Sequence, residues 1–296
     1  MKLLGDTDDT FVPAYEMCKA PKDLVSKLYE MPDFIRASEE NKLRGIKCPS
    51  FTTDLGFMSA YIYKGVDKFI IGVRHPIKWF ESFYNFRANQ SGGTYAPAEE
   101  KIGGKGGPFA VNTDRSRFHI SLSKLGKTPL SEDEKLLLKP GFVKSNVQKS
   151  NTTIFIYDVD QLNNDDNVQP FRAELQRFLD LDRELPELPH VVPGANRTGV
   201  ALKKVTKLKI DICQERYDNL RNVLLENGKQ AQEWILKYFI ESDDVTVPLK
   251  NIFIDIVKNW ANDPCSTNDY SGRRSASLVN EMRKLTPEYA ATPSTL

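Results

Sequence analysis

In the stretch KFIIGVRHPIKWFESFYNFR, Lys68 to Arg87, an arginine stands where an apolar run stops and a serine follows eight positions later. A guanidinium fork matches two oxygens of a phosphate, and a hydroxyl can donate to a third. Arg74 and Ser82 on one strand-turn-helix unit could therefore grip a phosphate monoester. Arg74 could equally pair with an acidic loop residue, with Ser82 merely tolerated in a helix. Asn196-Arg197-Thr198-Gly199 offers a second anion ligand set, because glycine lets a backbone N–H approach while the side chains donate. The plainer alternative is a surface turn after Pro193-Gly194. Among the histidines, His75 beside Arg74 reads as structural and His190 as loop. His119, on a helix near a glycine-rich loop, is a candidate to face a substrate.

The elements that must position these groups follow from periodicity. KFIIGV, residues 68–73, is a short continuous apolar run, the pattern of a strand buried on both faces of a parallel sheet. Pro76 favours the first helical turn, so Arg74 falls in the crevice beyond the strand's carboxyl end. At 100° per residue Trp79, Phe83 and Phe86 share one face of that helix, expected to be core, while Lys78, Glu81 and Asn85 share another with Ser82 at the boundary. TTIFIYDVDQL, residues 152–162, reads as a second buried strand, and PFRAELQRFLDL as the amphipathic helix after it. Residues 90–108, rich in glycine and polar side chains, read as a long mobile loop and a candidate lid. Leu24, Leu28 and Met31 line a helix begun near Pro21. Phe118, Leu122 and Leu125 line another, and SEDEKLLL starts a third with Ser131 as its cap. After Ala201 the chain reads as helical, with Ile210, Cys213, Tyr217, Leu220 and Leu224 in phase, Gly228 as a stop, and a further amphipathic segment from Ile252 to Trp260. These elements predict an α/β chain: a three-layer parallel sheet flanked by helices, with a helical C-terminal part. One domain is expected over 1–262, followed by a polar, disordered tail over 263–296.

Lys+Arg 41 against Asp+Glu 40 gives a net charge of +1, so no overall field favours nucleic acid or an anionic membrane, and any anion site must be local. Cysteines 18, 48, 213 and 265 have no C-x-x-C spacing and no histidine pair, which argues against a metal site. No segment is long and apolar enough to span a bilayer. Asn89, Asn151 and Asn196 head N-x-S/T triplets that would permit glycosylation of a luminal chain.

The segment Arg74-His75-Pro76, then Ser82 and Tyr84, resembles the 3′-phosphate-binding segment of the sulfotransferases that use 3′-phosphoadenosine 5′-phosphosulfate (PAPS). That family's pattern is a strand, R-[DN]-P and a serine eight residues after the arginine; His75 replaces the usual Asp or Asn. Lys47-Cys48-Pro49-Ser50-Phe51 resembles the K-[ST]-P-x-[YF] segment of Golgi-type carbohydrate sulfotransferases. Ile154 to Leu162, through Tyr157-Asp158, and Phe178-Leu179-Asp180-Leu181 resemble the family's "YEDL" and "FLGL" segments. Asn196-Arg197-Thr198-Gly199 sits where the family has its second 3′-phosphate loop. The likeness covers roughly residues 45 to 200 in four ordered pieces.

The resemblance implies a P-loop nucleotide-binding-like sulfotransferase fold with PAPS as co-substrate. It implies Arg74, Ser82, Arg197, Thr198, Gly199, Lys47 and Tyr157 as cofactor contacts, no metal, and a hydroxyl- or amine-bearing acceptor such as a glycan. The family's P-K-x-G-T-[TS] loop for the 5′-phosphosulfate is not visible. IGGKGGP, residues 102–108, follows no strand and lies after Arg74. The chain is therefore expected to be N-terminally incomplete. A general base for the acceptor hydroxyl is marked by order alone, with Asp6, Asp8 and Glu16 as candidates beside His119. The compartment is expected to be the Golgi lumen if an N-terminal anchor is missing and otherwise the cytoplasm. The alternatives are a catalytically inactive nucleotide-binding or interaction protein that keeps the 3′-phosphate half-site, and a P-loop kinase-like transferase.

Overall fold

The computed structural model describes residues 10–12, 30–45, 67–90, 95–103, 111–123, 125, 152–187 and 209–266. The chain divides into two units, 1–261 and 262–296. In the second unit the described residues hold a short 3-10 turn, Pro264–Ser266, capped by Asp263, whose side chain accepts from Cys265 N at 2.8 Å.

The first unit is built on three parallel strands in the order β3 (Lys68–Val73), β4 (Thr153–Asp158) and β5 (Val245–Thr246). The register pairs Lys68 with Thr153 and Val73 with Asp158, so β3 and β4 end at the same level. Two further strands, β1 (Thr10–Phe11) and β2 (Leu43–Arg44), form a separate parallel pair. Among the described residues six α-helices accompany them: α1 (Pro32–Glu39), α2 (Pro76–Gln90), α3 (Phe118–Ser123), α4 (Val168–Phe178), α5 (Asp218–Trp234) and α6 (Lys250–Lys258).

Side chains alternate across a strand, and here both sets find apolar partners. Phe69, Ile71 and Val73 of β3 join Ile154 and Ile156 of β4 in one core with Leu122 after the start of α3, Ala231 and Trp234 of α5, and Phe253 and Val257 of α6. Phe155 points the other way into a second core with Phe171 and Leu175 of α4 and Leu179 after it. The expected α/β arrangement, a small parallel sheet with helices on both faces, is therefore present.

Several expectations change. The second strand ends at Asp158, not Leu162, because the Asp158 side chain accepts from Asp160 N at 2.8 Å and Gln161 Oε1 accepts from Asp158 N at 2.8 Å, closing a capping box that starts the 3-10 helix Val159–Asn163. On α2 the buried stripe is Ile77, Phe80, Tyr84 and Ala88, which faces α5. Trp79 and Phe83 lie at its edge, and Phe86 is 54 % exposed. Residues 210–217 are turns outside α5. Their backbone is satisfied sideways: Asn85 donates to Ile210 O at 3.1 Å and accepts from Ile210 N at 2.8 Å, and Glu81 accepts from Ile212 N at 3.2 Å. The described part of the 90–108 segment is packed. Gln90 ends α2, residues 98–101 form a 3-10 turn on buried Ala98, and Tyr84 donates to Ala96 O at 2.9 Å. A helix starts at Pro32, with Met31 just before it; Leu24, Leu28 and the SEDEKLLL segment lie outside the described residues.

Gly228 does not stop a helix. It sits inside α5 because a Cβ there would lie 2.7 Å from the carbonyl oxygen of Trp260 and 3.6 Å from the Pro76 ring. In a free helix Ala outranks Gly by about 1 kcal/mol. Gly228→Ala is nevertheless expected to lower stability by about 1–3 kcal/mol, since backbone must shift to admit the methyl. A thermal melt that rises on this substitution would contradict the packing of α5 against α2 and Trp260.

Candidate functional site

Because β3 and β4 end level, the residues just beyond them face one crevice at the carboxyl edge of the sheet. From β3 comes Arg74. From β4 comes Asp160, set by the capping turn. Arg74 Nε lies 3.6 Å from Asp160 Oδ1, and Lys78 Nζ, from the first turns of α2, lies 2.9 Å from Asp160 Oδ2. One carboxylate thus holds two cations that belong to consecutive elements. The three side chains are 34, 31 and 15 % exposed for Arg74, Lys78 and Asp160. Arg74 Nε is buried and makes no hydrogen bond, and Asp160 is its ion partner among the described residues.

Ser82 is exposed on α2. Arg74, Lys78 and Ser82 follow one another at four-residue steps, which on a helix places Lys78 and Ser82 on one stripe about 6 Å apart along the axis. Arg74 precedes the helix: its successor His75 already lends its carbonyl to Trp79 N at 2.8 Å, and His75 Nδ1 accepts from Ile77 N at 3.2 Å. Two positive side chains thus stand at and just before the start of α2 with a hydroxyl one turn beyond Lys78, and among the described residues Asp160 is the carboxylate in contact with both cations.

Beside these groups is a second carboxyl group. Asp158 is 0 % exposed; Oδ1 accepts from Asp160 N at 2.8 Å and Oδ2 from the indole Nε1 of Trp260 at 3.2 Å. Burial pushes its carboxyl up to about 7, with the neighbouring Asp160 adding to the rise and the two N–H donors and Lys78 opposing it. Burial also acts to raise Asp160. There the hydrogen bond and charge of Lys78 and the charge of Arg74 outweigh it, and the carboxyl stays below its ordinary value. Trp260 is fixed in turn by Phe118, with ring centroids 5.7 Å apart, and Phe118 by Trp79 at 5.9 Å.

Of the residues the sequence singles out, Arg74 stands between β3 and α2 and Ser82 is exposed within α2, eight positions later. Tyr157 packs into the core on the α4 side: its ring lies over Gly72, where a Cβ would approach it to 2.9 Å, and 5.1 Å from Phe171. His119 is 1 % exposed inside α3, away from the solvent access that a base for an acceptor hydroxyl needs. Lys47, Arg197, Thr198, Gly199, Glu16, Asp6, Asp8 and His190 lie outside the described residues. Sequence reasoning missed Lys78, Asp158, Asp160 and Trp260. The four-residue step from Arg74 to Lys78, and two aspartates at and just past the end of a strand, were available signals; nothing in the sequence pointed to Trp260. Among the described residues no group of three or more His, Cys, Asp or Glu is placed to hold a metal, and no helix is long and apolar enough to cross a membrane. Comparison with protein-family models, with curated proteins and with solved structures gives no match.

Folded, Asp158 keeps its proton up to about 7, whereas in the unfolded chain it loses it near the ordinary 3.8. Its protonated form therefore contributes stability that is fully present below the lower value and lost as pH rises through about 7. Melting temperatures measured from about pH 4.5 to 8 should fall more steeply in the wild type than in Asp158→Asn. The contribution of Asp160, whose carboxyl is held below its ordinary value, is lost only at more acidic pH and is nearly level across this range. Parallel curves for the two proteins would contradict the assignment.

Proposed function

We propose that the chain is a sulfotransferase that binds PAPS with the line Arg74–Lys78–Ser82 against the 3′-phosphate. The observation that carries this reading is the convergence of Arg74 and Lys78 at the level ends of two parallel strands, beside the start of α2. A guanidinium has five N–H groups, and Arg74 turns its Nε edge toward Asp160. The fork of terminal nitrogens is then the part suited to two phosphate oxygens. Lys78 adds a point charge, Ser82 a donor one turn further on, and the helix dipole favours the same sign of ligand. Arg197, Thr198 and Gly199 complete the grip in this reading, and Lys47 and Tyr157 are lesser contacts. The fold is then that of the P-loop nucleotide-binding-like sulfotransferases.

In the reaction the acceptor's hydroxyl or amine forms a bond to sulfur, the bond from sulfur to the 5′-phosphate oxygen breaks, and the acceptor proton passes to a base, for which Asp6, Asp8 and Glu16 remain the sequence candidates. Positioning and charge stabilisation supply the rate, as in phosphoryl transfer. A glycan is the acceptor class favoured by the resemblance. Cys213 and Cys265 are both disulfide-bonded, and disulfides persist in oxidising compartments, which favours the luminal over the cytoplasmic placement.

One observation favours a second reading. Asp160 already neutralises part of the Arg74–Lys78 charge, so the cluster is self-consistent as a structural ion network in an inactive nucleotide-binding or interaction protein. Titration with 3′-phosphoadenosine 5′-phosphate (PAP) separates the cases. Wild type is expected to bind, Arg74→Ala to bind about ten- to a hundredfold more weakly, and Ser82→Ala a few fold more weakly. Equal affinity in wild type and Arg74→Ala would reject the site. Transfer of labelled sulfuryl to a glycan or amine acceptor distinguishes enzyme from binder.

The compartment has its own test. Thiol alkylation of the unfolded, unreduced protein is expected to leave Cys213 and Cys265 unmodified, and reduction to cost about 2–5 kcal/mol of stability. Full labelling of both residues in protein made under oxidising conditions would contradict this.

A further inference from the structure

The two carboxyl groups at the strand ends share the two cations unequally. Arg74 and Lys78 both contact Asp160, whereas Asp158 receives only neutral donors, the Asp160 N–H and the Trp260 indole. Asp158 is also sealed from water and has a like charge two residues away. We propose that an anion captured by Arg74 and Lys78 is bound together with a proton on Asp158. The inference rests on the reading of that pair as the phosphate-binding site.

The charges balance as follows. The incoming dianion takes the terminal nitrogens of Arg74 and draws Lys78 from Asp160, and the Asp160 carboxylate, left on the Nε edge of Arg74, keeps its charge. The negative charge around Asp158 therefore rises while its screening by Lys78 falls. Its carboxylate takes one proton from solvent, and no bond to the anion is formed. Two carboxylates so close cannot both stay ionised cheaply once the cations are engaged elsewhere. Burial has already brought Asp158 to about 7, so a small further rise moves the proton within the physiological range. By linkage, the anion must then bind more tightly at lower pH.

The charged and titratable groups facing Asp158 are Asp160 beside it, Tyr157 before it on β4, Lys78 from α2, and Arg74 beyond β3 through Asp160. The Trp260 indole, which meets the edge of the His75 ring at 6.5 Å, closes the other side.

The test is calorimetric titration of the full chain with PAP at about pH 7 and about pH 8.5, in buffers of different ionisation enthalpy, a range in which the ligand's own phosphate is mostly dianionic. For a one-unit rise at Asp158, Kd is expected to increase about fourfold between the two pH values, with net proton uptake on binding. In Asp158→Asn both effects should vanish. Binding with flat pH dependence and no proton uptake overturns the inference and leaves the nucleotide site standing. Pronounced pH dependence that survives in Asp158→Asn overturns it in favour of another group such as His75. Absence of PAP binding at either pH overturns both. Should the variant not fold, the carboxyl carbon resonance of Asp158 in the wild type serves instead: its titration midpoint must move up with PAP, and an unmoved midpoint overturns the inference.

Discussion

The carboxyl group of Asp158 ties together parts of the chain that are far apart in sequence. One oxygen takes the N–H of Asp160 and starts the turn after β4; the other takes the indole of Trp260, at the end of the helix that follows the last strand. The cost of burying this carboxyl is only partly offset by two neutral donors, which is why it holds its proton so far above the ordinary range. The turn it sets up gives Asp160 its place between Arg74 and Lys78, and Gln161 of the same turn donates to Pro248 O at 2.7 Å, fixing the approach to α6. Crevice, crossover and C-terminal helix depend on one another through this residue.

Close packing then transmits the constraint. Trp260 presses its carbonyl against α5 where Gly228 leaves room, and Pro76, which begins the helix after Arg74, lies on the other side of the same gap. The aromatic chain from Trp260 through Phe118 to Trp79 returns to α2. Arg74 and Lys78 are thus carried by closely packed elements, beside the carboxylate of Asp160.

Much of the frame was legible in the sequence. The apolar runs 68–73 and 153–158 are strands, Pro76 opens a helix, and the arginine stands at the strand's end, because these features follow from local periodicity and from proline's fixed backbone angle. What escaped were tertiary choices. The face of α2 that is buried was decided by its contact with α5, which leaves Phe86 outside. The strand was cut short by a capping box whose acceptor looked like one more strand residue. Gly228 looked like punctuation because its neighbour across the gap is 32 positions away. Of the candidate site, Arg74 and Ser82 could be named from spacing, whereas the partner of Arg74 could not, since Asp160 lies 86 positions from it and is delivered by the pairing of β3 with β4.

The carboxylate lodged between Arg74 and Lys78 also bears on selectivity. On the proposed reading, a counter-ion already seated against both cations competes with any incoming anion. A singly charged, diffuse ion such as chloride would gain less from that exchange than a compact dianion with several acceptor oxygens. Discrimination among small anions would then need no steric gate.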